Sequence, residues 1–132
     1  MGAACSRPLP ATGKVVPVSV RITCVGDTVN ASIYPYIAQV PDSDGVAWSL
    51  VESPNVTEFE IGRKSNSAWP YSGKTPVKGN REMPAQANGM KPGLVGRKFS
   101  YNISAVCAIP GGEPRKIVID PDMIIIRRPQ SQ

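Results

Sequence analysis

Three short groups of polar residues have types and spacing that could support chemistry. The first, Asp42-Ser-Asp44-Gly45, has the alternating oxygen ligands and the glycine of a calcium-binding loop. An EF-hand loop also needs an acidic residue where Val40 stands and a glutamate where Val51 stands. Aspartate, serine and glycine are also common in tight turns, so we interpret this group as a turn without a metal site.

The other two groups are a phosphate-loop fragment and a pair of carboxylates. Gly73-Lys74-Thr75 matches the end of a phosphate loop, but Ala68 replaces its first glycine and Pro76 would block the helix that must follow. Asp120 and Asp122 flank a proline, which favours a turn over acid–base catalysis. The chain has no histidine, which excludes Ser-His-Asp and Cys-His catalysis and histidine-ligated zinc or copper. We therefore predict a protein that is not an enzyme, with no catalytic residue, no metal site and no cofactor.

Positive charge is concentrated in one stretch of the chain. The net charge is +5, and the stretch 63–98 holds eight basic residues and a single acid, Glu82. Basic groups interleaved with aromatic rings suit nucleic acids, because the cations replace condensed counterions and the rings stack on bases. The alternative is a solvated loop whose lysines serve solubility and whose Trp69 packs onto a sheet. The candidate residues for binding a polyanion or another partner are Arg63, Lys64, Trp69, Tyr71, Lys74, Lys78, Arg81, Lys91, Arg97 and Lys98.

The elements that must position these residues are β-strands. The chain has 11 isoleucines and 14 valines against 3 leucines, and β-branched side chains favour strands. Apolar and polar residues alternate in 18–24, 46–50, 58–61 and 98–109, as expected for strands with one buried face. A strand over 29–40 is interrupted at Pro35, and two strands at 116–120 and 123–128 close the chain. Seven or eight short strands joined by turns predict an all-β sandwich.

The phase of the alternation predicts which side chains form the core. An error of one residue in a strand would turn its whole apolar set outward. The predicted core consists of Val20, Ile22, Cys24, Trp48, Leu50, Phe59, Ile61, Tyr101, Ile103, Cys107, Ile119 and Ile124.

Two cysteines and a tryptophan on these inward faces form a pattern that is also found in a known protein family. Cys24 and Cys107 lie on separate predicted strands, with Trp48 between them in sequence. This pattern resembles the immunoglobulin family, in which cysteines on facing strands bridge two sheets beside a buried tryptophan. The resemblance implies a disulfide between Cys24 and Cys107. Two buried reduced thiols that act as small hydrophobic side chains are the alternative.

The last predicted strands of the chain resemble a second group of proteins. Asp120-Pro121 followed by an isoleucine-rich strand is similar to small bacterial sandwich proteins of unknown function with an immunoglobulin-like or cupredoxin-like shape. Cupredoxin copper needs two histidines and a cysteine, so this chain lacks that function. Together these features predict an immunoglobulin-like antiparallel β-sandwich with a long basic loop.

The chain is expected to form one domain with two tails. The tails are residues 1–14 and 129–132, and the sandwich covers 15–128, with 63–97 as the long basic loop region. Residues 1–6 match a myristoylation pattern with Cys5 as a second acylation site, but so short and loose a pattern also arises by chance. No apolar run is long enough for a membrane span and no signal peptide is evident, so we expect a cytoplasmic or virion- or particle-associated protein.

The expected function follows from these features. We expect a non-enzymatic binding or assembly module, for example a structural or accessory subunit of a larger particle, which binds a protein partner or self-assembles. The alternative is a protein that binds nucleic acid or another polyanion through residues 63–98.

Overall fold

Ten strands and no helix are found in the described residues of the computed structural model, which are 14–26, 28–64 and 68–128. The lipidation-like pattern at residues 1–6 and the predicted C-terminal tail lie outside these ranges. The strands are β1 (Val15–Val25), β2 (Thr28–Tyr34), β3 (Ile37–Pro41), β4 (Gly45–Leu50), β5 (Glu58–Arg63), β6 (Val77–Asn80), β7 (Ala85–Ala87), β8 (Lys98–Cys107), β9 (Arg115–Ile119) and β10 (Asp122–Ile126).

The strands form two mixed sheets in a sandwich-like arrangement. The first sheet has the order β2-β1-β4-β7, and the second has the order β3-β10-β8-β5-β6, with β9 also paired to β8. Most neighbours are antiparallel, but β1 pairs with β4 and β3 pairs with β10 in parallel. The prediction of antiparallel sheets is therefore wrong for these two pairs. The strand order also differs from that of immunoglobulin sheets.

The parallel pairs follow from a change of sheet at Pro35. The segment predicted as one interrupted strand, 29–40, is two strands, with β2 at the edge of the first sheet and β3 at the edge of the second. Because β3 leaves the first sheet, β4 re-enters it beside β1 and in the same direction as β1. A proline suits this crossing because it cannot donate a ladder hydrogen bond.

The alternating patterns of the long strands place the core as predicted. In β1 the buried side chains are Val18, Val20, Ile22 and Cys24, and β8 buries every second residue from Phe99 to Cys107. Trp48, Phe59 and Ile61 are also buried, whereas Leu50 and Ile119 are half-buried and pack against the core.

The prediction that Ile124 is buried is wrong, because the buried face of β10 is formed by the residues on either side of it. Met123 and Ile125 are fully buried and Ile124 is half-buried, because Met123 lies opposite Phe99 of β8. The register of β9 on β8 continues into β10 across Asp120-Pro121, with Ile119 opposite Ile103 and Asp122 opposite Ser100. An unbroken apolar run contains no alternation, so its phase is set by the partner strand.

The predicted long loop, 63–97, contains two short strands, one in each sheet. β6 pairs with β5 in the second sheet, β7 pairs with β4 in the first sheet, and Tyr71 forms an isolated bridge with Met90. These strands have four and three residues, too few for alternation to be visible in the sequence. The loop interpretation of this stretch is therefore wrong for its central part.

A disulfide joins the two sheets. Cys24 of β1 and Cys107 of β8 are bonded, with their Cα atoms 6.3 Å apart. Trp48 lies opposite Val18 of β1, six residues from Cys24, which corresponds to roughly 20 Å along a strand. Unlike in immunoglobulin domains, the core tryptophan and the disulfide therefore lie at separate levels of the sandwich.

Candidate functional site

Trp69 and Tyr71, which were candidates for stacking on bases, belong to the core. Trp69 is 4% exposed and Tyr71 is 2% exposed. Trp69 stacks on Trp48 with ring centroids 6.5 Å apart and meets Tyr71 edge-on at 5.9 Å. The Tyr71 hydroxyl donates a hydrogen bond to the Asp44 carbonyl at 2.9 Å. Because these rings are covered by protein, the prediction that they bind a partner is wrong, and the alternative that Trp69 packs onto a sheet holds.

Most of the basic candidates converge at one end of the sandwich. β5 ends at Arg63 opposite Tyr101, three residues after the start of β8 at Lys98. Lys64, Arg97 and Lys98 adjoin these strand ends, and Lys74 precedes the start of β6 at the same level. Lys91 reaches this end through its amide, which donates to the Pro70 carbonyl at 2.8 Å beside the Tyr71–Met90 bridge.

Three further basic residues from distant parts of the sequence join this end. The Gly45 amide at the start of β4 donates to the Lys14 carbonyl at 3.0 Å. Arg127 and Arg128 follow β10, whose last residue Ile126 pairs with Pro41. Sequence reasoning missed these residues because their proximity depends on strand pairing. We define the basic end as Lys14, Arg63, Lys64, Lys74, Lys91, Arg97, Lys98, Arg127 and Arg128.

Several cations of the basic end are free to meet an anionic partner. Within the described residues, no ion pair or hydrogen bond is formed by the side chains of Lys74, Lys91 or Lys98, and all three are exposed. Lys64 lies 4.0 Å from Asp120, and the Arg97 guanidinium lies 5.3 Å from the ring centre of Phe99. Arg128 pairs with the buried carboxylate of Asp44. Arg63, Arg97 and Arg127 are exposed as well, so this surface carries several cations of one sign and a positive field.

Two predicted basic residues lie away from the basic end. Lys78 of β6 is 3.9 Å from Glu60 on the outer face of the second sheet. Arg81 follows β6 at the opposite end of the sandwich, since Asn80 pairs with the first residue of β5. Its guanidinium donates to the carbonyls of Val56, at 3.0 Å, and Pro54. Arg81 therefore holds the loop before β5 in place, and Lys78 and Arg81 do not share the surface of the other basic candidates.

The Asp42-Ser-Asp44-Gly45 group forms a turn that supports the same end. The Asp44 amide donates to the Pro41 carbonyl at 3.0 Å, and Ser43 has a positive φ of 78°. No group of three or more histidine, cysteine or acidic residues in the described part of the chain could hold a metal ion.

A groove of about 570 Å³ lies on the outer face of the second sheet. Glu58 and Glu60 of β5 are among the residues that line it, together with Lys78 and Lys116. The groove therefore presents both signs of charge. Opposite charges in one groove favour a polar partner over a uniformly charged one.

The edge of the first sheet offers a surface of a different kind. β2 pairs with β1 on one side, and on its other side no described residue forms a hydrogen bond to it. The chain then turns through Tyr34, Tyr36 and Ile37, which are 79%, 50% and 52% exposed. The segment 28–37 contains no charged residue. We call this segment the edge surface.

Comparisons with protein families and with curated proteins add no relative. No protein-family model matches the chain, and no curated protein matches it. Across the described residues, no helix is long and apolar enough to cross a membrane.

Proposed function

We propose that this chain is a non-enzymatic binding or assembly module, such as a structural or accessory subunit of a larger particle. The observation that carries the proposal is the edge surface, where the edge strand β2 has one side without a partner strand among the described residues and lies next to exposed tyrosine and isoleucine side chains. Natural proteins usually protect such edges with charges, prolines or bulges, because an open edge pairs readily with another chain. Large exposed apolar side chains grouped together also mark interaction surfaces.

The proposed module is immunoglobulin-like in a general sense. A disulfide across two sheets holds a small sandwich together, and such a scaffold presents its edges and strand ends to partners. Fold resemblance alone names no partner. We propose a particle-associated location for the module, because a structural disulfide such as Cys24–Cys107 is rare in the reducing cytoplasm.

Native mass spectrometry of the full chain purified from its own host tests this proposal. We expect a mass above that of one chain, and we expect the double change Tyr34→Ser with Ile37→Ser to remove the additional mass. The matched control is Val118→Ser, because Val118 is 51% exposed but lies in β9, away from the edge surface. A single-chain mass for the unmodified protein, or an assembly unaffected by the double change, would contradict the proposal.

The basic end supports a second candidate function, the binding of nucleic acid or another polyanion. Nine basic residues from separate segments lie at that end, and the side chains of Lys74, Lys91 and Lys98 are exposed. The buried positions of Trp69 and Tyr71 remove base stacking, so the binding would act on phosphate or sulfate groups alone.

A salt titration of DNA, RNA and heparin binding by fluorescence anisotropy tests the second candidate. Replacing Lys74, Lys91 and Lys98 together by alanine should lower the slope of log K against log salt by roughly three. Arg81→Ala is the matched control, since Arg81 lies at the opposite end and should leave the slope unchanged. Trp69→Phe should also leave the affinity unchanged, because the ring is buried. Absence of binding to all three ligands at low salt would rule the candidate out.

A further inference from the structure

The edge strand β2 differs from the other edge strands of the sandwich. It has seven residues, with no charged residue, proline or glycine. In contrast, β9 carries Arg115 and Lys116, β6 carries Lys78, β7 has three residues and β3 ends in a proline. Each of these features discourages pairing with another chain. Among the described strands, β2 is therefore the long edge that lacks such protection.

Two copies of β2 that run in opposite directions can place like side chains opposite each other. Its inward face carries Val29, Ala31 and Ile33, and its outward face carries Thr28, Asn30, Ser32 and Tyr34. Ala31 is the central residue of the strand. In an antiparallel pair of two β2 strands centred on Ala31, Val29 of one copy lies opposite Ile33 of the other. Asn30 then lies opposite Ser32, and Thr28 opposite Tyr34, so apolar residues face apolar ones and polar residues face polar ones.

We propose that β2 pairs antiparallel with β2 of a second copy of this chain, about a twofold axis at Ala31. This inference rests on the proposed function and names the partner of the edge surface. The register centred on Ala31 pairs all seven residues of each strand, whereas a shift leaves residues at the ends unpaired. A shift of one residue between the strands would also set apolar side chains against polar ones. The resulting symmetry gives a closed dimer, in which both four-stranded sheets join into one.

The absence of charge on β2 makes a second copy a suitable occupant. The chain has a net charge of +5, so two copies repel each other on average. The β2 strands bring no charge to their contact. On the adjacent strand, the outward Arg21 is paired with Glu52, so its charge is neutralised within each copy. The inward face of the pair extends the core of each sandwich through Val29 and Ile33.

Analytical ultracentrifugation of the purified full chain over a range of concentrations tests the dimer. Ala31→Lys places two ammonium groups opposite each other at the axis, and it should weaken self-association at least about tenfold. Ala108→Lys adds the same charge at an exposed residue after β8 and should leave self-association unchanged. The Ala31 side chain is exposed in the single chain, so the two variants should unfold at similar temperatures at protein concentrations low enough for both to be monomeric.

The register has its own test in a pair of double variants. Asn30→Asp with Ser32→Lys places opposite charges across the axis twice and should preserve the dimer, whereas Asn30→Lys with Ser32→Lys places like charges there and should abolish it. A chain that stays monomeric at all concentrations, or a dimer insensitive to Ala31→Lys, would overturn the inference. If the purified chain is monomeric while the host complex still depends on Tyr34 and Ile37, the dimer is excluded and the proposed function stands.

Discussion

The indole Nε1 of Trp48 donates a hydrogen bond to the hydroxyl of Tyr101 at 3.0 Å, and this bond joins the two sheets inside the core. Both residues are fully buried, with ring centroids 5.6 Å apart and planes inclined by 62°. Each ring thus supplies apolar area as well as the polar partner that the other needs. The bond fixes the level at which β4 of the first sheet faces β8 of the second.

Loss of the Tyr101 hydroxyl should destabilise the fold. Tyr101→Phe leaves the buried indole N–H of Trp48 without its partner, which should lower the free energy of unfolding by about 1–3 kcal/mol. Urea unfolding followed by tryptophan fluorescence measures this loss. Tyr36→Phe is the control, because the Tyr36 hydroxyl also donates a hydrogen bond, to Asp120, but is accessible to water. Equal losses in the two variants would contradict this role for Tyr101.

Stability should decrease in alkaline solution. Burial raises the pKa of Tyr101 to about 12, although the hydrogen bond from Trp48 opposes the rise, and burial also raises the pKa of Tyr71. A tyrosine in the unfolded chain titrates near pH 10, so the folded state retains these protons when the unfolded state has lost them. The contribution is complete below about pH 10 and is lost as the pH rises toward about 12.

The urea midpoint measured at several pH values checks this dependence. The unmodified chain should lose stability over the interval from about pH 10 to about pH 12, and Tyr101→Phe should lose less. A constant midpoint across the interval would show that the two phenols do not titrate as their burial requires.

The disulfide should contribute strongly to stability. Cys24 and Cys107 are 83 residues apart in sequence, so their bond closes a long loop in the unfolded chain. Replacing both by alanine should cost about 2–5 kcal/mol of unfolding free energy. Adding a reductant should lower the urea midpoint of the unmodified chain and leave that of the double-alanine variant unchanged. Reductant insensitivity of the unmodified chain would instead favour the two reduced thiols.

Two glycines in neighbouring strands should respond differently to alanine. A Cβ added at Gly79 of β6 would lie 2.6 Å from the Ala85 amide nitrogen and 2.7 Å from the Phe59 ring. At Gly62 of β5 nothing lies within 4 Å of an added Cβ. Gly79→Ala should therefore destabilise the fold by about 1–3 kcal/mol through overpacking, whereas Gly62→Ala should have little effect. A comparison of thermal unfolding checks both, and similar melting curves would contradict the close approach at Gly79.

The sequence alone determined the strands whose two faces differ in polarity. β1 and β8 alternate over seven or more residues, so their buried faces, including Cys24, Tyr101 and Cys107, could be predicted from period two. The β-branched composition likewise predicted a structure dominated by sheets. These features are local, because each residue's direction follows from its neighbours along the strand.

Tertiary structure decided everything that depends on which strands meet. The pairing of Met123 with Phe99 decided which side chains of β10 are buried. The contacts of Trp69 with Trp48 and Tyr71 decided that its ring is buried. The same holds for the basic end, where Lys14 and Arg128 join the stretch 63–98, which is at least 30 residues away from each of them in sequence. The edge surface also depends on the tertiary structure, because only the order of the strands in the sheet shows that β2 lies at an edge. Pairing between distant segments leaves no periodic signal in the sequence. The contacts that stabilise such pairing form only when the chain is folded.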